Sequence, residues 1–179
     1  MSASSDVRIR LARPSDLRHL AAIEASGGPQ YEALLGPAPA LTGAPPTGAQ
    51  RDDAGTLLVA AAAGGEQAGG EPVGFAHLLV LDGHAHLEQL SVLPEHQGRG
   101  IGRALVAAVR EEARWAGFRE LTLLTYRDVP WNAPLYARLG FEPLDDARLA
   151  EPWLAALRAA EQAHGLDAHG VRVAMGVRL

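Results

Sequence analysis

The sequence predicts an α/β (mixed α+β) domain built on a single mixed β-sheet with helices on both faces. The chain has 179 residues, the size of one ordinary domain. Its apolar content of 47%, with 21% charged residues, is typical of a globular protein. The predicted strands and helices follow an order that mixes hairpins with crossover helices, which requires parallel and antiparallel pairs in one sheet. We therefore expect a single domain over residues 1–179, with residues 1–6 as a disordered tail.

The first 50 residues predict a strand, a helix and a long loop. Val7–Leu11 alternates apolar and Arg residues, as a half-buried strand does. Leu17, Leu20 and Ile23 follow at helical spacing. Residues 36–50 are rich in Pro, Gly, Ala and Thr without periodicity. We expect a loop or lid over residues 28–50, with a short helix over residues 30–35.

Two hairpins are predicted next. Residues 56–63 and 73–81 have the composition of strands and are separated by a glycine-rich turn. The dipeptide Asp82-Gly83 is typical of a tight turn and leads into a strand over residues 84–93.

This fourth strand changes phase along its length. Ala85 and Leu87 place the apolar face on odd positions, whereas Leu90 and Val92 place it on even positions. One extra residue in a strand reverses the face that each later side chain takes, so the pattern predicts a β-bulge. A strand buried on both faces is the alternative.

The rest of the chain alternates helices and strands. The predicted elements are a helix over 101–115, an apolar central strand over 121–126, a short helix over 131–139, a brief strand over 141–144, a helix over 148–164 and an alternating strand over 171–179.

Composition excludes several classes of function. The chain has no cysteine, which excludes disulfides, thiolate nucleophiles and Cys-based metal sites. All 16 basic residues are Arg, so a Schiff-base lysine and a P-loop lysine are excluded too. A net charge of −5 argues against a nucleic-acid partner. No apolar run is long enough to cross a bilayer and the start lacks signal-peptide features, so we expect no membrane partner and a cytoplasmic location.

A glycine-rich segment, HQGRGIGR, joins the fourth predicted strand to the following helix. Glycines there allow successive N–H groups to converge, and the helix N-terminus adds partial positive charge. The segment is therefore suited to bind a phosphate or pyrophosphate, and a turn that binds nothing is the alternative. It is not a dinucleotide fingerprint, because Arg103 stands three residues after Gly100, where that motif requires glycine.

These residues resemble the GNAT superfamily of acyl-CoA-dependent N-acyltransferases. The family motif Q/R-x-x-G-x-G/A is matched by Gln97, Gly100 and Gly102. A second family block, an aromatic residue followed by three residues and Gly-Phe, is matched from Tyr136 to Phe141. The resemblance covers the chain from Val7 onward. It implies a GNAT-like fold in which the bulged fourth strand splays from a parallel fifth strand.

The resemblance also implies acetyl-CoA as co-substrate, an amine as acceptor, no metal, and a homodimer by family habit. Amides of the glycine-rich turn are expected to hold the pyrophosphate, and the fourth strand is expected to pair with the pantetheine arm. Asn132 is expected to contact that arm or to cap its own helix. The residues expected to bind the cofactor are Leu90, Ser91, Val92, Gln97, Gly98, Arg99, Gly100, Ile101, Gly102, Arg103, Asn132 and Tyr136.

Acyl transfer to an amine requires one group that accepts the amine proton and one that protonates the leaving thiolate. Tyr136 matches the family position of the acid, with a core aromatic as the alternative. His84, His86 and Glu88 share one strand face by alternation. The resemblance places the base at Glu88, our first choice, or at His86. These three side chains also have the spacing to ligate a metal, but no fourth ligand is evident.

The sequence therefore predicts an N-acetyltransferase that uses direct attack in a ternary complex, because no cysteine exists to hold an acyl group. An acyltransferase for another acyl-CoA and a non-catalytic acyl-CoA sensor are the alternatives. The identity of the amine is not predicted.

Overall fold

Seven strands form one mixed sheet in the order β1-β2-β3-β4-β5-β7-β6 in the computed structural model, which describes residues 7–39, 43–62 and 70–179. The strands are β1 (Val7–Leu11), β2 (Thr56–Ala62), β3 (Pro72–Leu81), β4 (His84–Val92), β5 (Glu120–Tyr126), β6 (Glu142–Pro143) and β7 (Arg172–Arg178). This architecture confirms the predicted single mixed sheet.

Helices cover both faces of the sheet. The helices of the described residues are α1 (Leu17–Ala25), α2 (Gly28–Leu35), α3 (Gly48–Ala54), α4 (Ile101–Trp115), α5 (Ala133–Arg138), α6 (Asp146–Leu149) and α7 (Pro152–Ala163), with single 3₁₀ turns at Pro94–His96 and Leu166–His169. None of these helices has both the length and the apolar character needed to cross a bilayer.

Three clusters of buried apolar side chains join the helices to the sheet. On one face, α4 buries residues such as Leu105 and Val109, one turn apart, against β5 and its neighbours. On the other face, α1 packs Leu20 against Phe75 of β3, and α7 packs Leu154 against the C-terminal strands. Each fully buried Leu or Phe contributes about 1.5–3 kcal/mol, so these clusters fix the helices that surround the site.

The β4–β5 pair is the only parallel pair among the described strands. It is short: the pairing runs from Ala85 opposite Leu121 to Leu87 opposite Leu123, and stops there. Both strands continue beyond this point, to Val92 and Tyr126 respectively. The two central strands therefore separate, which confirms the predicted splay.

The bulge in β4 is at Glu88. On β3, His77 pairs with Gln89 and the next residue, Leu78, pairs with Leu87, so Glu88 is the extra residue. This insertion confirms the change of phase predicted from the sequence. It places the side chain of a bulged residue at the point where β4 leaves β5.

Two segments differ from their predicted form. The helix expected over residues 148–164 is divided into α6 and α7, because Pro152 lacks an N–H and favours the first turn of a new helix. The loop or lid expected over residues 28–50 begins with α2 and ends in α3, whose first turn is closed by a capping box between Thr47 and Gln50. Residues 1–6, 40–42 and 63–69 lie outside the described residues. They include the expected tail and most of the glycine-rich hairpin turn between β2 and β3.

Candidate active site

The splay between β4 and β5 opens a cavity of about 330 Å³. Residues 87–92 of β4 and 123–126 of β5 form two of its walls. Helix α2 adds Tyr31, and helix α5 adds Tyr136. The bulge residue Glu88 and the predicted acid Tyr136 thus line the same cavity.

A second cavity, of about 450 Å³, lies over the glycine-rich turn. It adjoins the first cavity, with which it shares the lining residues Leu90, Val92, Gln97 and Trp131. The two adjoining cavities form a cleft that runs from the end of β4 to the N-terminus of α4.

The glycine-rich turn presents a row of unused backbone donors. Gly98 and Gly100 have φ values of 72° and 80°, which non-glycine residues rarely adopt. The Gln97 amide donates to Pro94, and the Ala104 amide makes the first helical bond, to Gly100. Among the described residues, none accepts a hydrogen bond from the amides of residues 98–103. These amides and the start of α4 form a site suited to an anion.

The end of β4 also has unused backbone groups. The Leu93 amide donates to the Val73 carbonyl of β3 at 2.9 Å. Since bonding alternates along an antiparallel strand, the polar backbone groups of Leu90 and Val92 point away from β3, into the splay. The Val92 carbonyl accepts from the side chain of Gln97 at 3.0 Å. The backbone groups of Leu90 and the Val92 amide face the cleft.

The Glu88 carboxylate is held by two side chains from neighbouring elements. Its Oε2 accepts from Nη1 of Arg51 on α3 and lies 2.9 Å from Nδ1 of His77 on β3. Arg51 also donates to Oε2 of Glu24 on α1 at 2.5 Å. Burial raises the pKa of Glu88, but the His77 hydrogen bond and the Arg51 charge outweigh burial and lower it overall. With its side chain 34% exposed, Glu88 is an ionised carboxylate open to the cavity.

His84 and His86 do not converge with Glu88. His86 is 3% exposed, with its Nδ1 2.9 Å from the Thr122 hydroxyl, and it is not among the residues that line the cavity. Burial lowers its pKa to about 4. His84 stacks on Trp153 at 4.6 Å. Over residues 7–39, 43–62 and 70–179, no group of three or more His, Cys, Asp or Glu side chains is arranged to hold a metal ion.

Tyr136 is buried in α5 with its hydroxyl at the cavity. Its ring packs edge-on against Phe141 at 5.6 Å, and 8% of the residue is exposed. No described residue makes a hydrogen bond to its hydroxyl, which faces the cavity that Tyr136 lines. Burial raises its pKa, so the phenol is protonated at neutral pH and available as a donor.

Asn132 links α5 to α2. Its Oδ1 accepts from the Tyr31 hydroxyl at 2.9 Å, and its side chain makes no capping bond. Its backbone carbonyl accepts from the amides of Leu135 and Tyr136 instead. The alternative that the Asn132 side chain caps its own helix is therefore wrong.

The family model described as the acetyltransferase (GNAT) family matches residues 29–141. The chain belongs to this family. The match confirms the resemblance carried by the glycine-rich turn and the Tyr136 block, and it includes β4, β5 and the N-terminus of α4, which line the cleft.

Solved structures share the GNAT fold at low identity. The PaiA N-acetyltransferase from Thermoplasma acidophilum, in complex with coenzyme A, is 16% identical with a TM-score of 0.63, and the alignment covers 97% of this chain and 99% of that one. An acetyltransferase of the GNAT family from Staphylococcus aureus Mu50 is 14% identical with a TM-score of 0.64, with the same coverage of 97% and 99%.

Among curated proteins, a mycothiol acetyltransferase from Frankia casuarinae is 39% identical over 72 residues. This segment is 40% of the present chain and 20% of that relative. The match therefore spans only about a fifth of that relative's length.

Sequence reasoning missed three polar side chains: Tyr31, which lines the cavity, and the buried Arg51 and His77, which bond to Glu88. Tyr31 lies in the segment expected as a loop or lid, and Arg51 directly follows that segment. The capping box formed by Thr47 and Gln50 was the signal that could have placed Arg51 on a helix. His77 lies in the strand predicted over residues 73–81. It is buried, but its Nδ1 lies against the Glu88 carboxylate.

Proposed function

We propose that this protein is an acetyl-CoA-dependent N-acetyltransferase that acts on a primary amine of a small molecule or peptide by direct attack in a ternary complex. One observation carries the proposal. A single cleft holds a row of free amides at one end and, where β4 leaves β5, an ionised Glu88 and a protonated Tyr136. An anion site joined to an acid and a base is what transfer from an acyl-CoA requires.

The cofactor end of the cleft fits the chemistry of coenzyme A. The amides of residues 98–103 suit its diphosphate, and the free backbone groups of Leu90 and Val92 suit the amides of the pantetheine arm. The coenzyme A bound to the PaiA N-acetyltransferase supports this assignment. The proposed contacts are Leu90, Ser91, Val92, Gln97, Gly98, Arg99, Gly100, Ile101, Gly102, Arg103, Asn132 and Tyr136.

Glu88 is the proposed base. Its lowered pKa keeps it ionised at neutral pH, and its side chain opens to the cavity where an amine would enter. His86 is the weaker candidate, because it is buried against Thr122 away from the cavity lining. The carboxylate accepts the ammonium proton directly or through a water, which leaves the neutral amine free to attack the thioester.

Tyr136 is the proposed acid. Its raised pKa holds the proton on the hydroxyl, which has no competing partner among the described residues. The thiolate that leaves after attack has an ordinary thiol pKa of about 8.5, so a proton donor beside it assists its departure. Tyr136 lies in the cavity and Glu88 on its β4 wall, so acid and base act within one pocket.

A thiol-release assay over a panel of primary amines tests the proposal. We expect amine-dependent release of coenzyme A by the wild-type protein. Tyr136→Phe and Glu88→Gln should each lower kcat about 100-fold, the usual contribution of one acid or base. Acetyl-CoA affinity by calorimetry should stay unchanged in Glu88→Gln, and His19→Asn, at a half-buried position of α1 outside the cavity lining, serves as the control.

Two results would contradict the proposal. Tight acetyl-CoA binding without turnover on any amine would favour the acyl-CoA sensor. Faster turnover with propionyl-CoA or succinyl-CoA would favour a different acyl donor. Because the match to the mycothiol acetyltransferase covers 20% of that protein, we do not assign its acceptor to this chain. The homodimer and the cytoplasmic location stay predictions.

A further inference from the structure

The environment of Glu88 is unusually constrained for a bulge residue. A bulge leaves the extra residue without a partner on the neighbouring strand, so its side chain needs another support. His77 lies immediately opposite the bulge, since it pairs with Gln89, and its Nδ1 is 2.9 Å from Glu88 Oε2. One backbone irregularity thus brings the two side chains together.

The direction of this hydrogen bond follows from its acceptor. An ionised carboxylate only accepts, so His77 must donate its Nδ1–H to Glu88. Arg51 lies 3.2 Å from the same nitrogen but donates to Glu88 Oε2, because a protonated Nδ1 offers no lone pair. Both neighbours therefore bind the same carboxylate oxygen. Among the described residues, none donates to Oε1 of Glu88, which is left for the amine.

The other ring nitrogen fixes the tautomer. His77 is 3% exposed, and its Nε2 is buried without a hydrogen-bond partner. Gly55 packs against it so closely that a Cβ at Gly55 would lie 3.1 Å from Nε2 and 2.4 Å from the Leu78 carbonyl. A proton on Nε2 would be a buried donor without an acceptor, which is costly. The pocket therefore favours the proton on Nδ1.

We propose that His77 is a positioning residue for the base, which holds Glu88 Oε2 by a permanent Nδ1–H donor and presents Oε1 to the acceptor amine. This inference rests on the proposed function for its catalytic meaning. The titratable and charged groups packed around Glu88 are Glu24 on α1, Arg51 on α3, His77 on β3 and His86 on β4 itself. His77 and His86 can be changed without altering the number of carboxylates or guanidinium groups, and of these two His77 is the one that bonds to Glu88.

The test compares His77→Phe, which removes the donor, with His77→Asn, whose amide nitrogen can occupy the place of Nδ1. The ¹³C NMR titration of the Glu88 carboxyl, assigned with Glu88→Gln, measures its pKa without any need for turnover. Loss of a hydrogen bond to a charged group should raise the midpoint by about one to two pH units in His77→Phe. His77→Asn should bring the Glu88 midpoint most of the way back to the wild-type value. The acid limb of the pH profile of kcat/KM should shift together with that midpoint. His19→Phe, at a half-buried position of α1 outside the cavity lining, is the control and should shift neither the Glu88 midpoint nor the acid limb of kcat/KM.

An unchanged Glu88 midpoint in His77→Phe, or His77→Asn behaving like His77→Phe, would overturn the inference. If His77→Phe fails to fold by circular dichroism, His77→Gln replaces it, because glutamine places its amide near Nε2 instead. The midpoint should then be higher in His77→Gln than in His77→Asn, and equal midpoints overturn the inference. A shifted midpoint in a protein that acetylates no amine contradicts the proposed function alone. Turnover without the shift contradicts this inference alone.

Discussion

The hydroxyl of Tyr31 donates a 2.9 Å hydrogen bond to Oδ1 of Asn132, 101 residues further along the chain. The Tyr31 ring also packs edge-on against Trp131 at 5.5 Å. In the preceding position of α2, the Gln30 side chain donates to Oε1 of Gln97 at 3.0 Å. Helix α2 therefore touches both the turn before α5 and the family glutamine of the glycine-rich turn, and it forms the roof of the cleft between them.

Tyr31→Phe should weaken the binding of acetyl-CoA. It leaves Oδ1 of Asn132 without its partner, and loss of about 1 kcal/mol corresponds to a roughly fivefold higher Kd. Calorimetry measures this change. Tyr126→Phe is the matched control, because its hydroxyl donates to the Leu166 carbonyl and not to a proposed cofactor contact, and its acetyl-CoA affinity should equal that of the wild type. Equal affinity in both variants would show that α2 does not shape the cofactor site.

Gly100→Glu should abolish acetyl-CoA binding, because it adds bulk and negative charge beside the free amides. Gly117→Glu is the matched control. Both glycines have left-handed φ values, of 80° and 89°, so each substitution costs about 1–2 kcal/mol in the backbone. Only Gly100 lies at the N-terminus of α4, whereas Gly117 follows its other end. Similar losses of affinity in the two variants would trace the effect to destabilisation and refute the anion site.

His86 should make the folded protein less stable in mild acid. Burial lowers its pKa from 6.5 to about 4, so between these values the unfolded chain binds a proton that the folded protein does not. The free energy of unfolding therefore falls as the pH drops from 6.5 to 4, by about 3 kcal/mol from this group. His86→Asn, which keeps a donor for Thr122, should lose less stability over the same range. Urea unfolding at pH 7.0, 5.5 and 4.5, compared as the difference between the two proteins, measures the effect, and parallel curves would contradict it.

Gly55→Ala should destabilise the fold next to His77. A Cβ there would lie 2.4 Å from the Leu78 carbonyl, so the backbone of β3 must move, at a cost of about 1–3 kcal/mol. Gly27→Ala is the control, since its Cβ would have one ordinary contact at 3.5 Å. Urea unfolding should show a loss for the first variant and none for the second. An unchanged midpoint for Gly55→Ala would mean that β3 has room that the structure does not show.

The local pattern of apolar and polar residues was sufficient to predict the mixed sheet and the bulge in β4. The phase change between Leu87 and Leu90 predicted an inserted residue, and the insertion is Glu88. Periodicity reports which face a side chain takes, so it detects a bulge directly. It missed the division of the helix over residues 148–164, where helical spacing continues through Pro152 although the hydrogen bonding does not.

The surroundings of Glu88 were not predictable in the same way. Arg51 reaches it from α3 and His77 reaches it from β3, and neither lies near Glu88 in sequence. Such contacts depend on strand register and helix packing, which periodicity does not encode. The sequence therefore predicted the base candidates and the glycine-rich turn, but not the groups that set the pKa of Glu88.

Amide NMR during titration with acetyl-CoA is the most direct test of the claim that the backbone amides of the turn after Gln97 bind the diphosphate of the cofactor. In ¹H–¹⁵N spectra, we predict that the amides of residues 98–103, together with Leu90 and Val92, show the largest shifts, and that these saturate with a single Kd. Saturable binding that leaves these amides unmoved, or no binding at all, would contradict the account.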